Sequence, residues 1–334
     1  GMNVSMSVVD ISILKSVGPD VAKIERTLTL FGPRYRYLIC GYPPFLKTLV
    51  DAADVDWSRY DVTAIFGGEG MSEGMRDYLG RAFGRIYGSY GASDLEINLA
   101  AENDFTIALR RRLIEDERLR ERLCVLDDAG LPMIFQYNPI DTYVETSDRG
   151  ELVVTLCRTR NAAPKIRYNI QDLGHVVRFP ELRAALAEAG IEPGELAPRH
   201  SDLPLLFLYG RADAAVPYFG CKITPGNVED VVFSLLDLAP LVNSFALLVS
   251  EDEQATKRLA IALELRKGAA APADEDELRE RVLARLADLN QDYREASRFM
   301  PPESVPTLEL HRAGEGPFAG YDVRLKRHYV QRRG

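Results

Sequence analysis

The feature that most constrains this chain is an alternation of short apolar runs with amphipathic segments over residues 21–87. Apolar residues recur at helical spacing from Val21 to Phe31, and Gly32-Pro33 ends that helix. Further strands are predicted at 37–40, 62–66 and 85–87, with helices at 45–53 and 72–83 between them. Strands and helices that alternate in this way predict a parallel sheet with helices on its faces.

Two glycine-containing segments follow strands of this predicted sheet. They are Gly67-Gly68-Glu69-Gly70 and residues 88–94, which read Gly-Ser-Tyr-Gly-Ala-Ser-Asp. Ligands of parallel sheets bind beyond the carboxyl ends of the strands, and glycine lets a ligand lie against the backbone. An Asp such as Asp172 can accept both hydroxyls of a ribose, and an Arg can hold a phosphate. The pattern suggests a nucleotide site, although each short glycine motif is also typical of a plain turn.

The later part of the chain predicts two further regions. Residues 133–177 alternate with period two around turns, which indicates antiparallel strands. The apolar run that stops at Gly210-Arg211 is followed by a new helix opening at Thr224-Pro225. We therefore predict a large domain over 1–210, with a β-rich part at about 133–209, and a small α+β domain over 211–334. The hinge between them is predicted at 210–213.

Composition excludes several classes of protein. The net charge of −9 and the pI near 5.2 argue against nucleic acid as the main partner. No apolar stretch is long enough to span a membrane, and no leader segment is present, so we expect neither membrane insertion nor export. The four cysteines lack metal-ligand spacing, which predicts reduced thiols in a cytoplasmic protein.

The order of the short motifs resembles one known family. The matching segments are Phe66-Gly67-Gly68-Glu69, Met75-Arg76, Tyr90-Gly91-Ala92-Ser93-Asp94, Gly150-Glu151-Leu152-Val153, Ile166-Arg167-Tyr168 with Asp172, Gly210-Arg211-Ala212-Asp213, and Gly220 with Pro225 and Glu229. Together they resemble the phenylacetate–coenzyme A ligase branch of the adenylate-forming enzymes, from about Gly32 onward. That superfamily includes acyl-CoA synthetases, peptide-synthetase adenylation domains and luciferases. The resemblance implies a parallel-sheet subdomain and a β-rich subdomain, followed by a small mobile domain.

The resemblance also implies an activity and a set of site residues. The family uses ATP and Mg²⁺ to convert a carboxylic acid to an acyl-AMP, then transfers the acyl group to a thiol such as coenzyme A. The acid expected here is aromatic or otherwise hydrophobic. By position, the implied ligands of the nucleotide are Gly67, Gly68, Glu69, Tyr90, Gly91, Ser93, Asp172 and Arg211, with Tyr90 stacking near the base. Asp94 would bind Mg²⁺, Tyr42 and Pro43 would line the acid pocket, and Asp213 would be the hinge residue.

Two departures from the family favour an alternative function. The family's loop that wraps the ATP phosphates is expected well before Tyr90, and the segment before residue 20 contains no such loop. Near the carboxyl end, Val323-Arg324 stands where the family has Gly-Lys, so Arg324 or Lys326 would have to replace the catalytic lysine. The alternative is a ligase-like protein that binds AMP, an acyl-adenylate or a partner without activating an acid. A large domain that lacks its front would expose apolar surface, so we also predict a homo-oligomer, most simply a dimer.

Overall fold

The computed structural model describes residues 13–92, 95–126, 131–158, 163–211, 216–219, 221–251, 257–320 and 329–332. Its contacts divide the chain into two compact units. The first contains residues 1–70, 79–123 and 133–208, and the second contains residues 71–78, 124–132 and 209–334. The chain therefore enters the second unit twice before residue 209, and the predicted domain boundary at residue 210 stays a prediction. The predicted hinge at 210–213 stays a prediction.

The helices and strands are as follows. The strands are β1 Arg36–Gly41, β2 Asp61–Gly67, β3 Arg85–Ala92, β4 Glu96–Ala101, β5 Met133–Tyr137, β6 Thr142–Thr146, β7 Glu151–Leu156, β8 Tyr168–Val177, β9 Leu205–Arg211, β10 Val216–Tyr218, β11 Cys221–Ile223, β12 Val242–Glu251, β13 Lys257–Leu265, β14 Thr307–His311 and β15 Val330–Arg332. The helices are α1 Val21–Phe31, α2 Pro43–Ala52, α3 Glu73–Leu79, α4 Asp104–Glu115, α5 Glu117–Leu123, α6 Phe179–Glu188, α7 Pro193–Leu196, α8 Pro225–Ser234, α9 Glu275–Leu289 and α10 Gln291–Ser297.

The first nine strands form one mixed sheet. Its order is β1-β2-β3-β4-β5-β9-β8-β7-β6. β1, β2 and β3 pair in parallel, with Ile39 opposite Ala64 and Phe66 opposite Gly88. β6, β7 and β8 pair antiparallel. Both the parallel part and the antiparallel, β-rich part of the predicted fold are confirmed.

Local sequence signals place the helices beside this sheet. Asp20 caps α1 by accepting a hydrogen bond from the Lys23 amide at 3.0 Å, and Gly32 ends the helix with a φ of 72°. Ile24 and Leu28 form its buried face. α2 buries Phe45, Leu46 and Leu49. These helices confirm the predicted amphipathic pattern.

Two helical predictions need correction. The helix predicted over 72–83 ends at Leu79. The charge-rich composition of residues 108–126 predicts one helical segment, and the structure has two helices there. The Asp116 carboxylate accepts a hydrogen bond from the Leu119 amide at 3.0 Å and starts the second helix.

The second unit contains a four-stranded sheet, in the order β14-β13-β12-β15. Thr224 caps α8 by accepting a hydrogen bond from the Asn227 amide at 3.2 Å, and Pro225 takes the first helical position, as predicted. α9 buries Leu278, Val282 and Leu286. The helical spacing of Leu289 from these residues predicts that it faces inward too, but it is 40% exposed. No helix in the described part of the chain is long and apolar enough to cross a membrane.

Candidate functional site

The end of β2 turns through two adjacent glycines. Gly68 has a φ of 81°, which L side chains rarely adopt, and the place of its missing Cβ is occupied by the Tyr42 ring. At Gly67 a Cβ would lie 2.9 Å from the Ser89 carbonyl oxygen. Glu69 follows and is half-buried. The fold itself therefore requires glycine at 67 and 68, and the exposed Gly68 still leaves backbone accessible at the strand end.

The end of β3 carries Tyr90 and Gly91 beside a β-bulge. Residues 97–99 of β4 lie opposite Gly91, because Tyr90 pairs with Ala100 and the next pair joins Ala92 to Glu96. The Glu96 carbonyl oxygen occupies the place of a Gly91 Cβ. A larger residue would displace the bulge, so this glycine too is required by backbone packing.

Tyr90 is a buried residue. Its side chain packs against Phe135 with the ring centroids 5.7 Å apart, and only 7% of Tyr90 is exposed. Two positions before it, the Gly88 amide donates a 2.6 Å hydrogen bond to the buried Glu102 carboxylate. Contacts within the protein therefore fix the end of β3.

Asp172 lies on a second bulge, in β8. Residues 170–172 face the single residue Leu152 of β7, and Gln171 has a φ of 62°. The Asn169 carboxamide oxygen accepts a 2.7 Å hydrogen bond from the Gln171 amide, which stabilises the turn. The Tyr90 hydroxyl donates to Asp172 Oδ2 at 2.8 Å. This hydrogen bond joins the end of β3 to a strand that β4, β5 and β9 separate from it in the sheet order.

Tyr42 and Pro43 open α2. Tyr42 is the residue before the helix and Pro43 is its first residue, a position where the missing N–H of proline costs nothing. Tyr42 is 39% exposed while its ring covers Gly68, and Pro43 is buried. The structure therefore places the predicted acid-pocket residue Tyr42 directly against the predicted nucleotide residue Gly68.

The remaining predicted residues are placed only in part. Arg211 is the exposed last residue of β9. Ser93, Asp94, Asp213, Arg324 and Lys326 lie outside the described residues. Among the described residues, no group of three or more His, Cys, Asp or Glu side chains could hold a metal ion. The predicted Mg²⁺ ligand Asp94 is not part of that search, so the magnesium site stays a prediction.

Burial shifts the pKa of titratable groups in β1, β3 and β8. Burial lowers the pKa of His175, whose Nε2 lies 2.9 Å from the Leu123 carbonyl oxygen. Burial, together with the hydrogen bond to Asp104, raises the pKa of Tyr87 to about 12. Burial also raises the pKa of Cys40. The shifts of all three groups favour the neutral side chain, since burial disfavours the charged form.

Sequence reasoning missed several residues that shape the site. Phe135 supports the Tyr90 ring, Glu102 holds Gly88, and Asn169 holds the turn before Asp172. The role of Asn169 could have been predicted, because an Asn side chain commonly accepts a hydrogen bond from the backbone amide two residues later in the chain. Phe135 and Glu102 carried none, since each acts on a residue far away in the sequence.

Comparison with solved structures shows where this fold occurs. A 2-hydroxyisobutyryl-CoA ligase in the postadenylation state, in complex with R3-HIB-AMP, matches 94% of this chain and 57% of its own, with a TM-score of 0.61 and 16% identity. The anthranilate CoA ligase AuaEII, in complex with anthranoyl-AMP, matches 94% of this chain and 52% of its own, with a TM-score of 0.55 and 12% identity. Neither the protein-family models nor the curated proteins give a match to this sequence.

These matches establish the fold class. The chain has the adenylate-forming enzyme fold, as the motif order implied. It spans 57% and 52% of the two ligases, about half of their length. At identities of 16% and 12%, the likeness to these two ligases shows the fold and not the activity.

Proposed function

We propose that this protein binds a nucleotide at the ends of β2 and β3 and acts as an adenylate-forming acid–thiol ligase. The observation that carries the proposal is the hydrogen bond between Tyr90 and Asp172. It holds a carboxylate against the glycine-containing end of β3, within a fold shared with two CoA ligases. A carboxylate accepts about four hydrogen bonds, so the bond from Tyr90 is compatible with acceptance of ribose hydroxyls.

The proposed reaction has two steps. The carboxylate of an aromatic or hydrophobic acid attacks the α-phosphorus of ATP, pyrophosphate leaves, and an acyl-AMP forms. A thiol such as that of coenzyme A then attacks the acyl carbon, and AMP leaves. The protein would contribute positioning and charge stabilisation rather than a covalent intermediate.

Each predicted residue has a role in this proposal. Asp172 would hold the ribose and Arg211 would assist it, while Tyr42 and Pro43 would contact the acid. Gly67, Gly68, Glu69 and Gly91 would offer backbone to the adenine, Ser93 would reach the α-phosphate, Asp94 would bind Mg²⁺, Asp213 would be the hinge, and Arg324 or Lys326 would supply the positive charge.

The decisive experiment combines a measurement of AMP binding with a measurement of ATP–pyrophosphate exchange. We expect AMP to raise the melting temperature, and at least one aromatic or branched carboxylic acid to support ATP–pyrophosphate exchange above background in the presence of Mg²⁺. Exchange reports the first step without requiring the acceptor thiol. A protein that neither binds AMP nor exchanges pyrophosphate with a broad panel of acids would contradict the proposal.

One alternative outcome has a specific observation in its favour. Val323-Arg324 stands where the family has Gly-Lys, and arginine lacks the compact ammonium group of lysine. If AMP raises the melting temperature while exchange stays at background, the protein is a binder of AMP or acyl-adenylate rather than a ligase. Arg324→Lys would then be the variant in which to look for gained exchange.

We also propose that the protein forms a homodimer. In the described part of the chain β1 pairs on one side only, and Leu38 on this edge strand is 45% exposed. An open apolar edge favours association with another chain, and lysine on such an edge opposes it. Light scattering should give twice the mass of the chain for the wild type and a lower mass for Leu38→Lys, with Leu30→Lys on α1 as the control. A wild-type monomer would contradict this proposal.

Four free thiols agree with the cytoplasmic location that we also propose.

A further inference from the structure

The hydrogen bond between Tyr90 and Asp172 lies between two β-bulges. Tyr90 precedes the irregular pairing of β3 with β4, and Asp172 is the last residue of the irregular segment of β8. Bulges re-aim side chains and are frequent beside active sites. The two bulges therefore direct toward each other two side chains that lie 82 positions apart in the sequence.

The ring of Tyr90 is poorly placed to stack on a base. A stacked base needs one open ring face, but Tyr90 is 7% exposed and Phe135 packs against it. By contrast, the hydroxyl of Tyr90 is directed at the half-buried carboxylate of Asp172. The contribution that this geometry allows Tyr90 to make is therefore its O–H group.

The backbone before Asp172 is fixed as well. Gln171 adopts a left-handed φ of 62°, which costs a non-glycine residue about 1 kcal/mol. The Asn169 side chain holds that conformation through the Gln171 amide. The backbone turn sets where the Asp172 side chain starts, and the Tyr90 hydroxyl fixes one of its carboxylate oxygens. Such preorganisation lowers the entropy that a ligand must remove when it binds.

We infer that Tyr90 is a positioning residue that orients the Asp172 carboxylate for the hydroxyls of a ribose. Recognition of the sugar, rather than of the base, then depends on residue 90. This inference rests on the proposed function, because it requires a nucleotide at this site. It replaces the stacking role that the family resemblance implies for Tyr90.

The test compares two nucleotides on one variant. Tyr90→Phe keeps the ring and its packing and removes only the hydroxyl. We expect AMP to bind about tenfold more weakly to the variant than to the wild type, and 2′,3′-dideoxy-AMP, which lacks both ribose hydroxyls, to change by less than about twofold. Isothermal titration calorimetry measures both affinities, with displacement of AMP used for the weaker ligand.

A matched control lies on the same strand. The Tyr87 hydroxyl donates a 2.7 Å hydrogen bond to Asp104, so Tyr87→Phe removes a similar tyrosine–aspartate bond that does not involve Asp172. This control should leave both affinities unchanged. Asn169→Ala loosens the turn without touching residue 90, and should weaken AMP about threefold while leaving the dideoxy nucleotide unchanged.

The outcomes separate this inference from the proposed function. Wild-type affinity of Tyr90→Phe for AMP, or an equal loss for both nucleotides, would overturn the positioning role while the proposed function stands. A wild-type protein that binds neither nucleotide would overturn both. If Tyr90→Phe does not fold, Tyr90→Met, which also removes the hydroxyl, takes its place in both titrations: a selective loss of AMP affinity supports the inference, and an equal loss for both nucleotides opposes it.

Discussion

Replacing Asp172 with alanine is expected to weaken AMP binding about a hundredfold. The variant removes a charged acceptor that we propose bonds two ribose hydroxyls, and hydrogen bonds to charged groups each contribute about 1.5–3 kcal/mol. Asp172 is half-buried and fixed by Tyr90, so the wild-type site is already organised for those bonds. Calorimetric titration with AMP measures the loss.

A control variant and a double-mutant cycle make this prediction specific to the Asp172 carboxylate. Asp104→Ala removes the acceptor of the Tyr87 hydroxyl and should leave AMP affinity unchanged. In the Asp172→Ala background, Tyr90→Phe should have no further effect on AMP affinity, because the carboxylate that the Tyr90 hydroxyl positions has been removed. If Asp172→Ala binds AMP as tightly as the wild type, the ribose must be held elsewhere, and Asp172 would be a structural residue of β8.

The sheet was predictable from the sequence because its signals are local. Helix α1 shows its apolar spacing within 11 residues, and its cap and its stop lie directly beside it. The strands β1 to β3 are short apolar runs between such helices, which leaves a parallel sheet as the consistent arrangement. Boundaries such as the end of α3 at Leu79 were less accurate, since packing rather than propensity decides where a helix stops.

The roles predicted for the site residues stay predictions, and the contacts of those residues could not be predicted from the sequence. The glycines at 67, 68 and 91 were expected to make room for a ligand. In the structure, protein atoms from Ser89, Tyr42 and Glu96 occupy those positions. A sequence shows that glycine is present but not which distant group approaches it. For the same reason the partner of Tyr90 could not be found, because Asp172 follows it by 82 positions.

The fold nevertheless explains why these motifs recur in one order. The motifs of β2, β3, β8 and β9 lie at strand ends or at a bulge of a single sheet, whereas Met75-Arg76 lies in α3 and Pro225 and Glu229 lie in α8. Asp172 reaches Tyr90 even though β4, β5 and β9 stand between their strands in the sheet order. The motif order therefore carried information about the fold, and side-chain geometry was needed to assign a role to each residue.

Replacing Lys47 with methionine is expected to destabilise the protein by about 3–5 kcal/mol, the usual cost of removing one member of a buried ion pair. Lys47 and Asp51 lie one turn apart on α2, with Nζ and Oδ2 separated by 2.7 Å and side chains only 5% and 6% exposed. Denaturant unfolding measures the change. The control is Lys23→Met on α1, whose ion pair with Asp20 is exposed and should contribute less than about 1 kcal/mol.

The double variant Lys47→Met/Asp51→Leu decides what the ion pair does. An apolar pair of similar volume should recover most of the stability lost in Lys47→Met, because neither member of the ion pair is then left buried without the other. α2 begins at Pro43 directly after Tyr42, so the same variant tests whether the helix needs its charges or only its packing to hold the proposed acid pocket. If Lys47→Met unfolds no more easily than Lys23→Met, the buried pair is not a determinant of α2, and Tyr42 must be held by its contact with Gly68 and by the apolar face of the helix.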